Sequence, residues 1–382
     1  MDSFTRLSLA LNHQEADRVP FDLGGTILTS IHIKSYRRLR STLGLPEVEP
    51  RLMNVDEQIA DVDEDVRSRL AVDVRNVAPR ATEAVTVFRE MPGYTYFYDE
   101  WGIGWKMPRD GGLYFDMFDH PLKNAQSVAD IEKYPWPNPA NPARYVGMRK
   151  RARKAKEEEK QGVFLDGLSA GMMEIASWMR GYENFYTDCI DNQKLLVAIM
   201  TKVMELKMAY WEVALGEAGE NISALEESDD LGAQTRLMIS PALYRKLLKP
   251  LQKQLLDFIH ARTKAKIFYH SCGAIRAIIP DLIEVGIDAL NPVQVSAPGM
   301  DSAELKREYG KDLAFWGGGV DTQGVLGSGT PQQVRDDVRR RIEDFAPGGG
   351  FVFAAVHNIQ SDVSPENVLA MWETLQEYGK YE

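Results

Sequence analysis

Short apolar runs rich in β-branched and aromatic residues alternate along this chain with longer segments whose apolar residues recur at helical spacing. Most of the short runs end in a polar or glycine-bearing loop, which is typical of repeated βα units. The pattern predicts eight strands, at residues 18–23, 72–77, 163–166, 222–226, 265–269, 287–290, 313–316 and 351–354. Eight strands separated by helices predict an α/β fold of the (β/α)8 or TIM barrel type.

Residues 84–120 interrupt this alternation with a further β-rich stretch that contains glycine and aromatic residues. We interpret it as a hairpin-like insertion, with the alternative that it holds one of the eight strands. Before the first strand, Phe4, Leu7 and Leu11 share one helical face and predict an N-terminal extension. No shift in composition requires a second domain, so we predict a single domain over residues 1–382.

Composition and charge disfavour several classes of partner. The 382 residues include 45 Lys and Arg against 56 Asp and Glu, a formal net charge of −11, which disfavours binding to nucleic acid or to an anionic lipid surface. The longest apolar runs are far shorter than the ~18 residues that a membrane span requires. With two cysteines, Cys189 and Cys272, no disulfide framework is expected, and we predict a cytoplasmic monomer or homodimer.

The sharpest candidate for chemistry is the sequence His270-Ser271-Cys272 at the end of the fifth predicted strand. Residues two apart in an extended chain point to the same side, so His270 and Cys272 are candidates to bind one metal ion. Imidazole and thiolate donors together favour Zn²⁺. The alternative is a half-buried polar pair at a strand end. His357, just past the last predicted strand, is a third candidate ligand, because the loops after barrel strands meet on one rim.

Several other predicted strands are followed by polar side chains that a purely structural barrel does not need. Because the carboxyl ends of barrel strands form one rim, we expect these side chains to line a substrate site there. The alternative is ordinary solvated surface or helix capping. The candidate substrate-binding residues are Asp166, Glu227, Asn291, Gln294 and Asp321.

Further motifs lie along most of the chain, at residues 16–20 (ADRVP), 228–232 (SDDLG), 270–273 (HSCG), 315–322 (FWGGGVDT) and 348–360. Together these motifs resemble the uroporphyrinogen decarboxylase superfamily, and in particular its corrinoid-dependent methyltransferase-like members. The resemblance implies a TIM barrel whose cleft lies at the carboxyl-terminal rim. True uroporphyrinogen decarboxylases carry an arginine-rich N-terminal signature, and this chain has FDLGGT there instead, at residues 21–26.

The corrinoid-dependent methyltransferases of the superfamily bind zinc through a His-x-Cys pair and a late cysteine. The resemblance implies that His270 and Cys272 are zinc ligands and that His357 stands in the place of the late cysteine. The fourth ligand stays open among water, substrate, Glu227 and Asp229.

The implied reaction is the transfer of a methyl group to a small-molecule thiol that zinc activates. The donor is a methylated corrinoid on a partner protein, or a smaller methyl compound. Asp229 or Asp230 is expected to orient the acceptor or to handle a proton. Asn358 is expected to hydrogen-bond the imidazole of a metal ligand.

Two other functions stay open from the sequence. The first is metal-free decarboxylation of a tetrapyrrole or another carboxylate-rich substrate, in which an Asp handles the proton or binds the pyrrole. It requires a cationic cleft, for which the nearest candidates are Arg18, Arg37, Arg38 and Arg180. The second is a non-catalytic subunit that docks a corrinoid protein through the aromatic residues of segment 94–105.

Overall fold

The computed structural model describes residues 1–79 and 86–381, which form helices around a parallel sheet. None of the helices within these ranges is long and apolar enough to cross a membrane.

The strands are β1 Leu52–Asn54, β2 Ile59–Ala60, β3 Val74–Asn76, β4 Arg89–Met91, β5 Tyr94–Tyr98, β6 Gly104–Pro108, β7 Asp116–Asp119, β8 Gly162–Leu165, β9 Ala224–Ser228, β10 Lys266–His270, β11 Ala289–Asn291, β12 Ala314–Trp316 and β13 Phe351–Val352. The α-helices are α1 Ser3–Leu11, α2 Ile33–Thr42, α3 Glu64–Arg69, α4 Val128–Glu132, α5 Met148–Arg153, α6 Met172–Arg180, α7 Tyr182–Asp191, α8 Gln193–Ala218, α9 Pro241–Leu247, α10 Lys249–His260, α11 Ile279–Val285, α12 Ser302–Tyr309, α13 Pro331–Phe345 and α14 Pro365–Tyr378. Short 3₁₀ or π turns lie at Ile27–Thr29, Pro142–Tyr145, Lys154–Glu158, Gly219–Asn221, Arg276–Ile278 and Thr322–Leu326.

Seven strands form a curled parallel sheet in the order β13-β12-β11-β10-β9-β8-β3, and each overlaps one of the predicted strands. The remaining predicted strand, residues 18–23, lies between the two outer strands of this sheet, with one bridge to Phe353 just after β13 and one backbone hydrogen bond from Asp73 just before β3. The amide of Asp22 donates to the carbonyl of Phe353 at 2.9 Å, and the amide of Asp73 donates to the carbonyl of Phe21 at 2.8 Å. The chain therefore closes into a ring, and the predicted TIM barrel is confirmed.

The Asp73 carboxylate fixes this closure at the N-terminal side of the barrel. It is fully buried and accepts hydrogen bonds from Nη1 of Arg6 at 2.6 Å and from Nη1 of Arg18 at 2.7 Å. It also accepts one from the amide of Phe21 at 2.8 Å. Charge-assisted bonds of this kind are stronger than neutral ones, so the N-terminal segment is held firmly against β3.

Alternate residues of the strands face the interior of the ring, as the two-residue period of a strand requires. Ala224, Phe268 and Trp316 belong to one interior cluster, which the apolar face of α1 joins through Leu7 and Leu11. The N-terminal extension therefore packs against the barrel core. Further along β9 and β10 the same alternation brings polar side chains to the inside, near the carboxyl ends of the strands.

The inserted segment forms an antiparallel sheet of its own, in the order β4-β5-β6-β7. It holds no strand of the barrel, and residues 84 and 85 of the predicted insertion lie outside the described residues. Trp105 of β6 packs edge to face on Trp178 of α6, with ring centroids 5.7 Å apart. This contact places the insertion against a helix that begins at the carboxyl-terminal rim of the barrel.

Candidate metal centre and adjoining cavity

His270 is the last residue of β10, and Cys272 lies in the turn that follows it. Gly273 allows that turn, because its φ is +85° and a Cβ atom there would lie 2.5 Å from the carbonyl oxygen of Ala233. The amide of Cys272 donates to Oδ1 of Asp230 at 2.8 Å. The thiol is therefore held on the inner side of the rim, next to the imidazole.

His357 approaches the pair from the loop after β13, with a positive φ of +66° that is uncommon for a residue with a side chain. Nε2 of His270 lies 3.4 Å from Sγ of Cys272, and the imidazole centroids of His270 and His357 are 5.2 Å apart. One donor atom from each of the three residues lies within 4.8 Å of the other two. The structure thus brings together the three side chains that the sequence predicts as metal ligands.

Asn291 orients the imidazole of His270. Its Oδ1 lies 2.6 Å from Nδ1 of His270, while its Nδ2 donates to the carbonyl of Trp316 at 2.7 Å. Since the amide nitrogen is committed to Trp316, Nδ1 of His270 must donate, and the lone pair on Nε2 faces Cys272. Burial lowers the pKa of His270 to about 4, so the ring is neutral at pH 7.

The thiol of Cys272, in the turn after β10, is strongly affected by its surroundings. Burial raises the pKa of its thiol well above the ordinary value, and the nearby carboxylates of Asp230 and Glu174 raise it further. The thiol keeps its proton at neutral pH unless a positive charge lies beside it.

Asp229 and Asp230 lie side by side but face different surroundings. The fully buried Asp229 carboxylate accepts hydrogen bonds from the amides of Met173 and Glu174 at 3.0 and 2.9 Å, so it caps the first turn of α6. Burial raises its pKa to about 7. Asp230 is more exposed, and its Oδ1 lies 3.5 Å from Nε2 of His270. Of the two, Asp230 borders the candidate metal centre.

A cavity of about 440 Å³ adjoins His270 and His357. Its walls come from the barrel rim, α6 and the inserted sheet. Asp166 and Glu226 lie on its floor, and burial raises the pKa of Asp166 to about 6 and that of Glu226 well above its ordinary value. Asp166 accepts a hydrogen bond from Nδ2 of Asn76 at 2.7 Å. Among the predicted substrate-binding residues, Asp166 is the one that lines this cavity.

Glu227 and Asn358 make their contacts elsewhere. Glu227 points away from the barrel interior, where its Oε2 accepts from Nζ of Lys207 at 3.0 Å and its Oε1 accepts from the indole of Trp211 at 2.6 Å. Asn358 is buried and donates from Nδ2 to Oε2 of Glu57 at 2.7 Å. The hydrogen bond to a ligand imidazole that the sequence assigned to Asn358 is made by Asn291 instead.

Gln294 and Asp321 have local structural contacts. Oε1 of Gln294 accepts from the amide of Gly273 at 2.7 Å, and its Nε2 donates to Gln234 at 2.6 Å. Gln294 therefore supports the turn that carries Cys272. Asp321 caps the turn Thr322–Leu326 by accepting two amide hydrogen bonds, which is the capping alternative that the sequence left open.

Glu226 lines the cavity but is not among the predicted substrate-binding residues, which include its neighbour Glu227. It is two residues beyond Ala224, which faces the barrel interior, so strand alternation alone selects Glu226. Asp56, Glu57 and Glu174 also line this part of the molecule, with the pKa of Asp56 raised to about 6 by burial. They come from outside the barrel strands, and no local pattern marks them.

The chain matches known proteins over most of its length. A family model described as uroporphyrinogen decarboxylase (URO-D) matches residues 99–378. A uroporphyrinogen decarboxylase of Alkalilimnicola ehrlichii is 24% identical over 287 residues, 73% of this chain and 73% of that protein. One of Pseudomonas paraeruginosa is 24% identical over 277 residues, 70% of this chain and 73% of that protein.

The fold also has a solved counterpart. A methyltransferase from Methanosarcina mazei superposes with a TM-score of 0.66 at 19% identity, over 99% of each chain, which shows a shared fold. The barrel and the family match together assign the chain to a class of enzymes built on a TIM barrel. The chain belongs to the uroporphyrinogen decarboxylase family.

Proposed function

We propose that this chain is a zinc-dependent methyltransferase, which moves a methyl group from a methylated corrinoid or a smaller methyl compound to a thiol acceptor. One observation carries the proposal. Donor atoms of His270, Cys272 and His357 lie within 4.8 Å of one another, beside a cavity large enough for a small molecule.

The donor set fits zinc in its chemistry. Two imidazole nitrogens and one sulfur are ligands that Zn²⁺ prefers, and three protein ligands leave a fourth position for an acceptor. Nε2 of His270 keeps its lone pair towards Cys272 because Asn291 engages Nδ1. The buried thiol of Cys272, whose pKa is raised, is the kind of group that a dication converts to a thiolate.

When bound, zinc would supply the positive charge that keeps an acceptor thiol ionised at neutral pH. The side chains of the chain position the reactants. Asn291 fixes the ring of His270, and Asp230 faces both the cavity and the candidate metal centre, where it orients the acceptor. The acceptor thiolate forms a bond to the methyl carbon, while the bond from that carbon to the donor breaks and its electron pair leaves with the donor.

Decarboxylation of a polycarboxylate is the alternative, and the cavity disfavours it. Within the described residues, the cavity is lined by carboxylates and by no lysine or arginine. A substrate rich in carboxylates would meet repulsion there. The four candidate arginines are bound elsewhere: Arg18 to Asp73, Arg37 to Glu49, Arg38 to the carbonyl of Val363, and Arg180 to Asp188.

A non-catalytic docking role for the aromatic segment is also disfavoured. Phe97, Trp101 and Trp105 are buried and line the cavity, so they are not an open surface for a partner protein. Tyr94 and Tyr96 are half-buried, and Tyr98 is the exposed aromatic residue of the segment. Phe97, Trp101 and Trp105 therefore serve the site itself.

The proposal is tested by methyl transfer to 2-mercaptoethanol, with methylcobalamin and methyl iodide as alternative donors. The wild-type protein loaded with zinc should form the methyl thioether faster than the thiol does alone. Cys272→Ala should lower this rate by about 100-fold or more, because the activated nucleophile is lost. Cys189→Ala is the matched control, since Cys189 is buried in α7.

Equal rates for wild type and Cys272→Ala, or no rate above the uncatalysed reaction with either donor, would contradict the proposal. Anaerobic release of CO₂ from uroporphyrinogen at the same rate in both proteins would favour the decarboxylase alternative.

A further inference from the structure

The cavity beside the candidate metal centre is lined by acidic side chains, which the described residues do not balance with lysine or arginine. Eight carboxylate side chains line it within the described residues, and no lysine or arginine does. Some of these carboxylates have partners inside the protein, such as Asp99, which accepts from the indole of Trp105 at 2.9 Å. The carboxylate of Glu226, on the floor of the cavity, differs from these.

Glu226 on this floor has no hydrogen-bond partner among the described residues, although it is only 7% exposed. Strand alternation directs it to the barrel interior, in phase with Ala224. Lys207, the lysine whose charge acts on Glu226, is bound to Glu227 at 3.0 Å on the outer side of the strand. A buried carboxylate without a partner is unfavourable, so its position in a cavity indicates that a ligand supplies the partner.

Aromatic rings also line this cavity. Phe97, Trp101, Trp105 and Trp178 line it, and Trp105 and Trp178 meet edge to face at 5.7 Å. The faces of indole rings attract organic cations, and sites for quaternary ammonium groups combine such rings with carboxylates.

A bare metal ion does not suit these groups. Metal binding requires several donor atoms to converge, and the group of that kind in the described parts of the chain is His270, Cys272 and His357. The carboxylates of the cavity are spread over its walls instead. A volume of about 440 Å³ fits a small organic molecule.

We infer that the cavity binds an organic cation whose positive charge lies on a methylated nitrogen or sulfur atom, and that this cation is the smaller methyl donor of the reaction. The inference rests on the proposed function. In the step, the acceptor thiolate forms a carbon–sulfur bond to the methyl group. The bond from that carbon to the onium atom breaks, and its electron pair becomes the lone pair of a neutral amine or sulfide.

The transfer needs no proton, oxidant or reductant, and it removes the positive charge that Glu226 binds. Burial raises the pKa values of Glu226 and of Asp166, and a bound cation favours the ionised form of both. The neutral product loses this attraction, so release follows transfer.

The test is isothermal titration of the wild-type protein with three matched probes. Choline carries an ammonium charge, its dimethylsulfonium analogue carries a sulfonium charge, and 3,3-dimethylbutan-1-ol is neutral with the shape of choline. At least one cation should bind about tenfold or more tightly than the neutral probe. Each cation is then offered as the methyl donor to 2-mercaptoethanol, and the rate of methyl transfer shows which of them is the donor.

Glu226→Gln should lower the affinity for the cation by about tenfold or more and leave binding of the neutral probe unchanged. Glu220→Gln, an exposed carboxylate with the same change in net charge, should alter neither. Equal binding of charged and neutral probes by the wild type, or no binding of either cation, overturns the inference without any variant.

These outcomes are separable from those of the proposed function. Loss of cation binding in a protein that still transfers methyl groups from methylcobalamin removes the cation site alone. Cation binding in a protein that methylates no thiol removes the methyl-donor role.

Discussion

Asn291 links His270 to the next strand of the barrel, because it accepts from Nδ1 of the imidazole and donates to the carbonyl of Trp316. His270 and Asn291 are paired in register at the ends of β10 and β11. The lone pair of Nε2 is therefore directed by the sheet itself.

Asn291→Ala should weaken zinc binding by about 10–100-fold, since removing a hydrogen-bond partner of a ligand typically has an effect of that size. Competition with a chromophoric chelator measures it. Asn367→Ala is the control, because Asn367 is also buried and donates to two carbonyls, but on α14. Equal zinc affinity in wild type and Asn291→Ala would show that Asn291 has no part in orienting the ligand.

The buried ion pair of Lys207 and Glu227 predicts a stability effect. Both side chains are at most 3% exposed, so Glu227→Gln leaves the Lys207 charge buried without its partner. We expect a loss of about 3–5 kcal/mol in the free energy of unfolding, measured by urea denaturation, with zinc content unchanged. Adding Lys207→Met should recover most of the loss.

Glu205→Gln is the matched control. Glu205 lies on α8, the helix that also carries Lys207, and its ion pair with Lys202 is exposed. Its effect should stay within about 1 kcal/mol. Loss of zinc in folded Glu227→Gln would instead place Glu227 in the metal centre, as the fourth ligand that the sequence left open.

Asp22 predicts a pH dependence of stability. Burial raises its pKa from 3.8 to about 6, although Trp316 and the amide of Gly25 donate hydrogen bonds that lower it. The folded chain holds this proton more tightly than the unfolded chain, so the contribution is complete below about pH 4 and is lost as the pH rises through about 6. The loss corresponds to about 3 kcal/mol.

Asp22→Asn should remove that contribution, so the difference in unfolding free energy between wild type and variant should change between pH 4 and pH 7. Asp166 adds to this difference in the same direction, because the charge of Asp22 helps to raise the pKa of Asp166. Parallel pH profiles for the two proteins would show that Asp22 does not titrate with a raised pKa.

The barrel could be predicted from the sequence because each strand is a short apolar run followed by a polar loop. His270 and His357 are 87 positions apart, but each stands at or just after the end of a predicted strand, so both could be expected on one rim. The closing strand is weaker than predicted, since residues 18–23 contact one neighbour through a single bridge and the other through a single backbone hydrogen bond. A hydrophobic pattern does not distinguish such a segment from a full strand.

The individual residues that line the cavity were harder to predict than the barrel. Glu226 and Glu227 are identical in type and adjacent, and only the phase of β9 decides which one faces the cavity. Asp56 and Glu174 reach the cavity from a loop and a helix, so their positions depend on packing between distant segments. Residue type and spacing along the chain carry no information about such packing.

The most direct test of the account is the metal content of the purified protein. Elemental analysis and zinc X-ray absorption should be measured on wild type, Cys272→Ala, His357→Ala and Cys189→Ala. We expect one tightly bound zinc ion per chain in wild type and in Cys189→Ala, with sulfur and nitrogen neighbours, and loss of most zinc in the other two. Equal zinc in all four proteins, or no zinc uptake by wild type, would contradict the central claim.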